Sequence, residues 1–392
     1  MLKPVYIAGS VRTPIGRFCG AFSDVPAANL GGAVISASLR RLGAKGRDVD
    51  EVIMGNVISA GLGQNVARQC AIEAGLPTEV PAMSINKVCG SGLKAVMLAA
   101  QYIQCEDAEL VIAGGTENMT RAPYVLDKAR TGYRMGDGAI VDTMIRDGLW
   151  DSYGDIHMGL LGDRCADDRC ISREDQDDFA VASYQRARQS LADGAFDAEI
   201  EPIEVRQKRD VVTVNQDEEP QRFDEAKLRS LRPAFGETGT VTAGNASSVN
   251  DGAAAVSVLS EKKVEQLGIQ PEARILGYSS MSRDPEWFTL APIRGMRSLM
   301  RKLDLSANDV DLFEINEAFS CVPLAAMREL EIPHEKVNVL CGAVAMGHPI
   351  GASGSRILVT LLNALRRGDK KIGIAALCIG GGESVVLAVE RL

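Results

Sequence analysis

The sequence predicts an α/β fold made of two copies of one unit, with a loop domain inserted between them. Three observations carry that expectation. Short apolar runs with strand character alternate with helical patterns. The same features return in the same order near the far end of the chain. Between the two sets lies a stretch of different texture, rich in charge, glycine and turn residues.

In order, residues 5–8 read as a strand, 27–42 as a helix with apolar residues at helical spacing, and 51–57 as a second strand. A helix follows over 90–104, then an apolar run over 108–113 that ends at Gly114-Gly115. Asp48-Val49-Asp50 precedes its strand just as Asp309-Val310-Asp311 precedes Leu312-Phe313-Glu314-Ile315-Asn316. Ser91-Gly92 opens one helix as Ser353-Gly354 opens another, and strand 109–115 has a counterpart at 371–377. Chance likeness would not keep these features in one order at one nearly constant spacing. The first copy therefore occupies 1–118, completed by 249–271, the inserted domain 119–248 and the second copy 272–392. Inside the insertion one helix is clear, over 172–191, with Ser172 at its N-cap and Asp175 three positions on. A long insertion of this kind is usually a lid or binding loop.

The totals exclude several classes. Hydrophobic residues at 46% and charged residues at 24% describe a folded chain, and 392 residues exceed one ordinary core. A net charge of −9 argues against a nucleic-acid binder and leaves room for a small anionic ligand held by a few local cations. No stretch approaches the roughly 20 apolar residues of a membrane span. The start reaches Arg12 and Thr13 after one short apolar run, so no signal peptide is expected. Nine cysteines, with no Cys-x-x-Cys pair, fit reduced thiols and a cytoplasmic location. The 39 glycines gather in clusters such as Gly114-Gly115 and Gly380-Gly381-Gly382, which suggests tight turns beside strands.

Four segments could carry chemistry. Cys89 stands before Gly90-Ser91-Gly92 and a helix, where the dipole and free N–H groups would lower a thiol pKa; a buried structural cysteine is the plainer reading. His348, one of three histidines with His157 and His334, lies in Gly347-His348-Pro349-Ile350-Gly351 at the entry to a helix. A rigid, closely approachable imidazole suits a general base, while His334 reads as a surface residue. Cys378 ends an apolar strand before three glycines, which make either an anion-binding nest or a plain hairpin turn. Asn316, at a strand end, either caps the next helix or faces the same site. No metal-ligand spacing and no phosphate-binding loop competes with these.

Together, Asn86-Lys87-Val88-Cys89-Gly90-Ser91-Gly92, Asn316-Glu317-Ala318-Phe319, Gly347-His348-Pro349-Ile350-Gly351-Ala352-Ser353-Gly354 and Cys378-Ile379-Gly380-Gly381-Gly382 resemble the thiolase superfamily, in order and spacing most like its short-chain acetyl-CoA acetyltransferases. The likeness runs from about Pro4 to Leu392 and includes Val241-Thr242-Ala243-Gly244-Asn245-Ala246-Ser247. It implies a layered α/β/α/β/α fold and a two-step transfer. In that scheme Cys89 is the nucleophile, His348 activates it, and Cys378 moves the proton at the α-carbon of a second acyl-CoA. Asn316 would hold a water near His348, and the N–H groups of Cys89 and Gly380 would form an oxyanion site. Coenzyme A contacts implied by the family are Leu149, His157, Met158, Ala243, Ser247 and Phe319, with Arg222 as a candidate. No metal or organic cofactor is implied, and acyl-CoA and CoA are the expected partners.

This chain departs from the family pattern at Ser248, where a glycine is common, at Phe288, where a methionine is common, and at Cys341, which replaces a glycine. The Phe288 change is expected to reshape the acyl end. Two rivals share the fold. Other condensing enzymes lack the second cysteine, so Cys378 argues against them; a silent acyl-CoA-binding scaffold would not need all four catalytic positions. A thiolase for longer 3-oxoacyl chains is the remaining alternative. Residues 124–142 resemble a tetramerisation loop, which implies a homotetramer or homodimer.

Overall fold

The computed structural model describes residues 3–207 and 210–392. Strands β1 (Val5–Arg12), β2 (Glu51–Gly55), β3 (Ala82–Ile85), β4 (Leu110–Asn118) and β5 (Asn250–Ser260) are followed by β6 (Ala273–Ser282), β7 (Leu312–Ile315), β8 (Ile372–Ile379) and β9 (Glu383–Arg391). They form one sheet in the order β7-β8-β9-β6-β1-β5-β4-β2-β3, with the short strand Gly16–Arg17 paired to β5. From the central β6–β1 seam outward, β1-β5-β4-β2 repeats β6-β9-β8-β7. Each series is paired antiparallel, antiparallel, then parallel. The duplication read from Asp48 and Asp309 is therefore a duplication of topology.

The main helices are α1 (Ala27–Leu42), α2 (Ser91–Cys105), α3 (Met158–Asp168), α4 (Arg173–Ala192), α5 (Ala291–Lys302), α6 (Cys321–Leu330) and α7 (Ile350–Arg367). Helices α2 and α7 lie inside, sharing a core that contains strand residues of both halves, among them Val111, Val256, Leu377 and Leu387. Helix α1 covers the outer face of the first half and α5 that of the second. The layers are α/β/α/β/α. Nearly every residue of α7 is buried, as a central helix requires. Each large apolar side chain fully buried there, such as Ile357 or Leu361, contributes about 1.5–3 kcal/mol.

The two inner helices touch through their backbones. A Cβ on Gly92 would stand 2.7 Å from the Ser355 nitrogen, and one on Gly354 would collide with Leu93. Those two glycines are the positions at which the sequence repeat was seen.

The ends of several elements differ from expectation. Strand β1 extends to Arg12 and β2 stops at Gly55. Strand β4 begins at Leu110 and runs through Gly114-Gly115 to Asn118. The glycine pair marks a close approach instead of a turn, since a side chain at Gly115 would run into the Gly351 carbonyl and one at Gly114 into Ala254.

The insertion is more ordered than its composition suggests. Besides α4, whose capping box between Ser172 and Asp175 forms as expected, its described residues include α3, the short helix Glu225–Ser230 and three two-stranded sheets. It is tied to β1 by Arg12, fully buried, which donates to Glu199 (2.6 Å) and to both oxygens of Asp217 (2.7 and 2.9 Å). Removing one member of such a buried set costs about 3–5 kcal/mol, because a charge is left unpaired. No helix among the described residues is long and apolar enough to cross a membrane.

Candidate active site

At the ends of β2, β4, β7 and β8 the four motif segments converge. Cys89, Leu149, His157, Met158, Ser247, Phe319, His348 and Gly380 line one cavity of about 310 Å³, walled mostly by apolar side chains. Cys378 lies fully buried behind this wall, close enough for the charges of the two thiols to oppose each other. Asn316, also buried, reaches His348. Arg222 and Ala243 are elsewhere. They line a separate cleft with Tyr184, Lys227 and Leu228, one turn of chain away from Ser247.

Cys89 sits on a turn immediately ahead of α2, not on its first turn. The N–H groups of Gly90 and Ser91 are already donated to Lys87 and Val88 carbonyls, both at 3.1 Å. They are not free for the sulfur, so the expected lowering by the helix start is not what dominates. Burial pushes the thiol up to about 11, opposed by the N–H groups of Gly380 and of Cys89 itself. Cys89 therefore rests as a thiol and needs a base. A Cβ on Gly90 would press on the side chains of Ile379, at the end of β8, and Val385.

The glycines after Cys378 form the hairpin turn that was one reading of the sequence. Gly381 (φ +89°) and Gly382 (φ +85°) turn the chain from β8 into β9 in the left-handed region. The same turn aims the Gly380 N–H at the Cys89 sulfur, giving with the Cys89 N–H a pair of converging donors.

The tautomer of His348 follows from hydroxyl bookkeeping. Ser353, on the first turn of α7, donates its one proton to the Pro349 carbonyl (2.9 Å). Its oxygen must then accept from His348 Nδ1–H, 2.6 Å away. Nε2 is left with its lone pair on the side of Asn316, whose Nδ2 lies at a loose 3.4 Å. Asn316 does not cap the following helix, where Ser320 holds the N-cap position; its Oδ1 has no hydrogen-bond partner among the described residues. Burial, with the Arg356 charge second, holds the His348 imidazole down to about 3, so it stays a neutral base.

That depression has a sign that can be checked. Below the ordinary imidazole value of about 6.5, the unfolded chain binds a proton that the folded chain refuses. Stability is thus lost as pH falls from about 6.5 toward 3, and this residue contributes nothing to the slope above about 6.5. At pH 5 the cost is about 2 kcal/mol. His348→Asn should lose less stability than the parent between pH 7.5 and 5 in denaturant titrations; equal losses would show that His348 titrates normally.

His157 holds the N-cap of α3, its Nδ1 accepting from the Gly159 N–H at 3.1 Å, and stacks on Phe235 at 4.5 Å. His334, read as a surface residue, is half-buried and stacks on Phe179 at 5.2 Å. Ser248, one of the departures, bonds through Oγ to Asn250 Oδ1 (2.8 Å), and that oxygen also accepts from the His348 N–H (3.2 Å). Its hydroxyl is thus spent supporting the histidine segment. Cys341 packs, fully buried, with Ile15, Phe196 and Met346. Phe288 is 2% exposed, meets Phe319 edge-on at 6.3 Å and lines the cavity with it.

Sequence reasoning missed Phe235, Met144, Gly148 and Ile350, which also line the cavity. Met144–Leu149 forms a π-helical turn, a conformation frequent at functional sites and without a sequence signature. Phe235 reaches the site from a loop distant in sequence, and nothing around it signals that approach.

The chain is similar along its whole length to known proteins. Residues 5–262 match the family model for the thiolase N-terminal domain, and residues 269–391 that for the thiolase C-terminal domain. The chain is 51% identical to an acetyl-CoA acetyltransferase of Cupriavidus necator over 392 residues, 100% of both chains. It is 47% identical to one of Schizosaccharomyces pombe over 390 residues, 99% of both. The structure superposes on a crystal structure of the Bacillus anthracis acetyl-CoA acetyltransferase with a TM-score of 0.98, at 41% identity, covering 100% of this chain and 99% of that one. On the Acat5 thiolase from Ascaris suum in complex with coenzyme A the TM-score is 0.94, at 40% identity and 100% coverage of both. Two family models in tandem, together spanning nearly all of it, show that the chain belongs to the thiolase family.

Proposed function

We propose that this chain is an acetyl-CoA C-acetyltransferase, which condenses two acetyl-CoA molecules to acetoacetyl-CoA and CoA, and reverses this by thiolysis, through an acetyl thioester on Cys89. The observation that carries the reading is one apolar cavity holding Cys89, His348 and Gly380, with a second thiol, Cys378, buried beside the first. His348 Nε2 takes the Cys89 proton as the sulfur attacks the first thioester. The N–H groups of Cys89 and Gly380 receive the developing oxyanion, and the departing CoA sulfur takes the proton from His348. As its thiolate, Cys378 then removes a proton from the α-carbon of the second acetyl-CoA. The carbanion attacks the acetyl carbonyl on Cys89, and the proton held by Cys378 returns to the Cys89 sulfur as that bond breaks. Burial raises the Cys378 pKa well above the ordinary thiol value, which makes its thiolate scarce but strongly basic.

On this reading the pantetheine end of CoA binds along His157, Met158 and Leu149, which line the cavity, and the nucleotide end binds at Arg222 and Ala243, which line the separate cleft. Phe288 in the cavity wall favours short acyl groups. Steady-state thiolysis across a chain-length series tests this: kcat/KM should be highest for acetoacetyl-CoA and fall steeply for 3-oxohexanoyl-CoA. Phe288→Ala should raise the relative rate on the longer substrate about tenfold, the value of one or two methylenes in an apolar pocket. A preference for 3-oxooctanoyl-CoA or longer chains would instead establish the longer-chain reading.

The exposed Tyr124, Met135 and Ile140 in residues 124–142 support a homotetramer held by that loop. Light scattering should show a tetramer that falls to a dimer when the loop is shortened; a parent that is already a monomer contradicts it. Nine free cysteines support a reducing, cytoplasmic location, which recovery of the protein from an oxidising compartment would refute.

A further inference from the structure

The segment carrying His348 is gripped near both ends by buried glutamates that the reaction scheme does not use. At one end Glu317 accepts from the Val344 N–H (3.0 Å), Ser183 (2.8 Å) and Asn338 (2.8 Å). At the other Glu117, the penultimate residue of β4, accepts from the Gly351 N–H (2.9 Å). Glu117 belongs to the first copy and Gly351 to the second, so this bond crosses between the halves.

Glu117 has further partners. Its Oε2 also accepts from the Val57 N–H (3.0 Å), and its Oε1 from Asn56 Nδ2 (2.9 Å) and the Ile58 N–H (3.2 Å). The Val57 carbonyl faces Asn86 Nδ2 at 3.4 Å, and Asn86 Oδ1 accepts from the Val88 N–H (2.9 Å), next to Cys89. Val57, Ile58 and Ile350 also share a small core on which Cys89 packs. Gly351 has to be a glycine, because a Cβ would stand 2.6 Å from Glu117 Oε2.

We propose that Glu117 is a positioning residue for the acetyl transfer: an ionised carboxylate that fixes the His348 segment against the Cys89 turn. The inference rests on reading those two residues as base and nucleophile. Two N–H donors at each oxygen leave no direction for a carboxyl proton. Burial works against that charge, drawing the carboxyl up to about 7, and the N–H groups of Val57, Ile58 and Gly351 offset part of the cost. An apolar side chain of similar volume would fill the space without it. What the carboxylate adds is a fixed bond to the backbone three residues after the base. Its charge cannot be the benefit, since it opposes ionisation of Cys89.

Glu117→Gln keeps the shape but turns an amide group toward two N–H donors. A loosened base predicts that kcat for acetoacetyl-CoA thiolysis falls about thirtyfold while KM stays within about threefold, as misplacement of a reacting group does. In a His348→Ala background the same change should have almost no effect, because Glu117 acts through His348. If Glu117→Gln does not fold, Asn56→Ala removes one donor from the same carboxylate; it should lower kcat about tenfold and be equally silent without His348. A kcat within about threefold of the parent in the soluble variant, or an undiminished loss in the His348→Ala background, overturns the proposal. Cys89→Ser run alongside separates the two readings: if it stays active the nucleophile assignment fails, and if it is dead while Glu117→Gln is normal only the positioning role fails.

Discussion

Cys89→Ser is expected to lower kcat for thiolysis of acetoacetyl-CoA by about a thousandfold or more, with the fold and KM little changed. Serine fits where cysteine did, so the cavity and the Gly380 N–H remain. The chemistry does not survive. His348 is a neutral imidazole held near 3, adequate to assist a thiol at about 11 once substrate is bound, but far too weak a base for an alkyl hydroxyl. The acyl group would also leave from an oxygen ester, a poorer electrophile toward CoA. Retention of more than a tenth of the parent rate would mean that another residue carries the acyl group.

Cys378→Ser separates the half-reactions. In the proposed scheme, transfer of an acetyl group from acetyl-CoA to Cys89 uses His348 and the two N–H donors, and none of these is Cys378. Exchange of label between CoA and acetyl-CoA should therefore continue at close to the parent rate. Carbon–carbon bond formation and cleavage should fall about a hundred- to ten-thousandfold, the range for loss of a general base. Serine cannot replace the thiolate, because in this fully buried site its oxyanion would be inaccessible at any working pH. An equal loss in both half-reactions would show that Cys378 shapes the site and does not move the proton.

Much of this was legible because the site sits on segments with unusual backbone demands. Cys89, His348 and Cys378 each lie within a few residues of glycines that have structural reasons: Gly90 packs under Ile379, Gly381 and Gly382 are in the left-handed region, and Gly351 lies against Glu117. The repeat was visible because α2 and α7 meet at Gly92 and Gly354, where only glycine fits. What stayed hidden depends on burial and on partners from distant segments. The Cys89 pKa was expected to move down and moves up, since a sequence shows the nearby helix start but neither the apolar walls nor the carbonyls that occupy its N–H groups. Gly114-Gly115 was read as a turn because the sequence does not show α7 passing beside it. Glu117 looks like an ordinary polar residue at a strand end, and its four donors come from two other segments. Arg222 and Ala243 entered by family likeness alone, and they line a cleft apart from the catalytic cavity.

The central claim is that one sulfur carries the acyl group while the other only moves a proton. Quenching the enzyme after brief exposure to acetyl-CoA and mapping its peptides by mass spectrometry tests this directly. The account predicts one acetyl group per chain, on the peptide containing Cys89, and the same result in Cys378→Ser. An acetyl group on Cys378, or none on Cys89 while turnover continues, would contradict it.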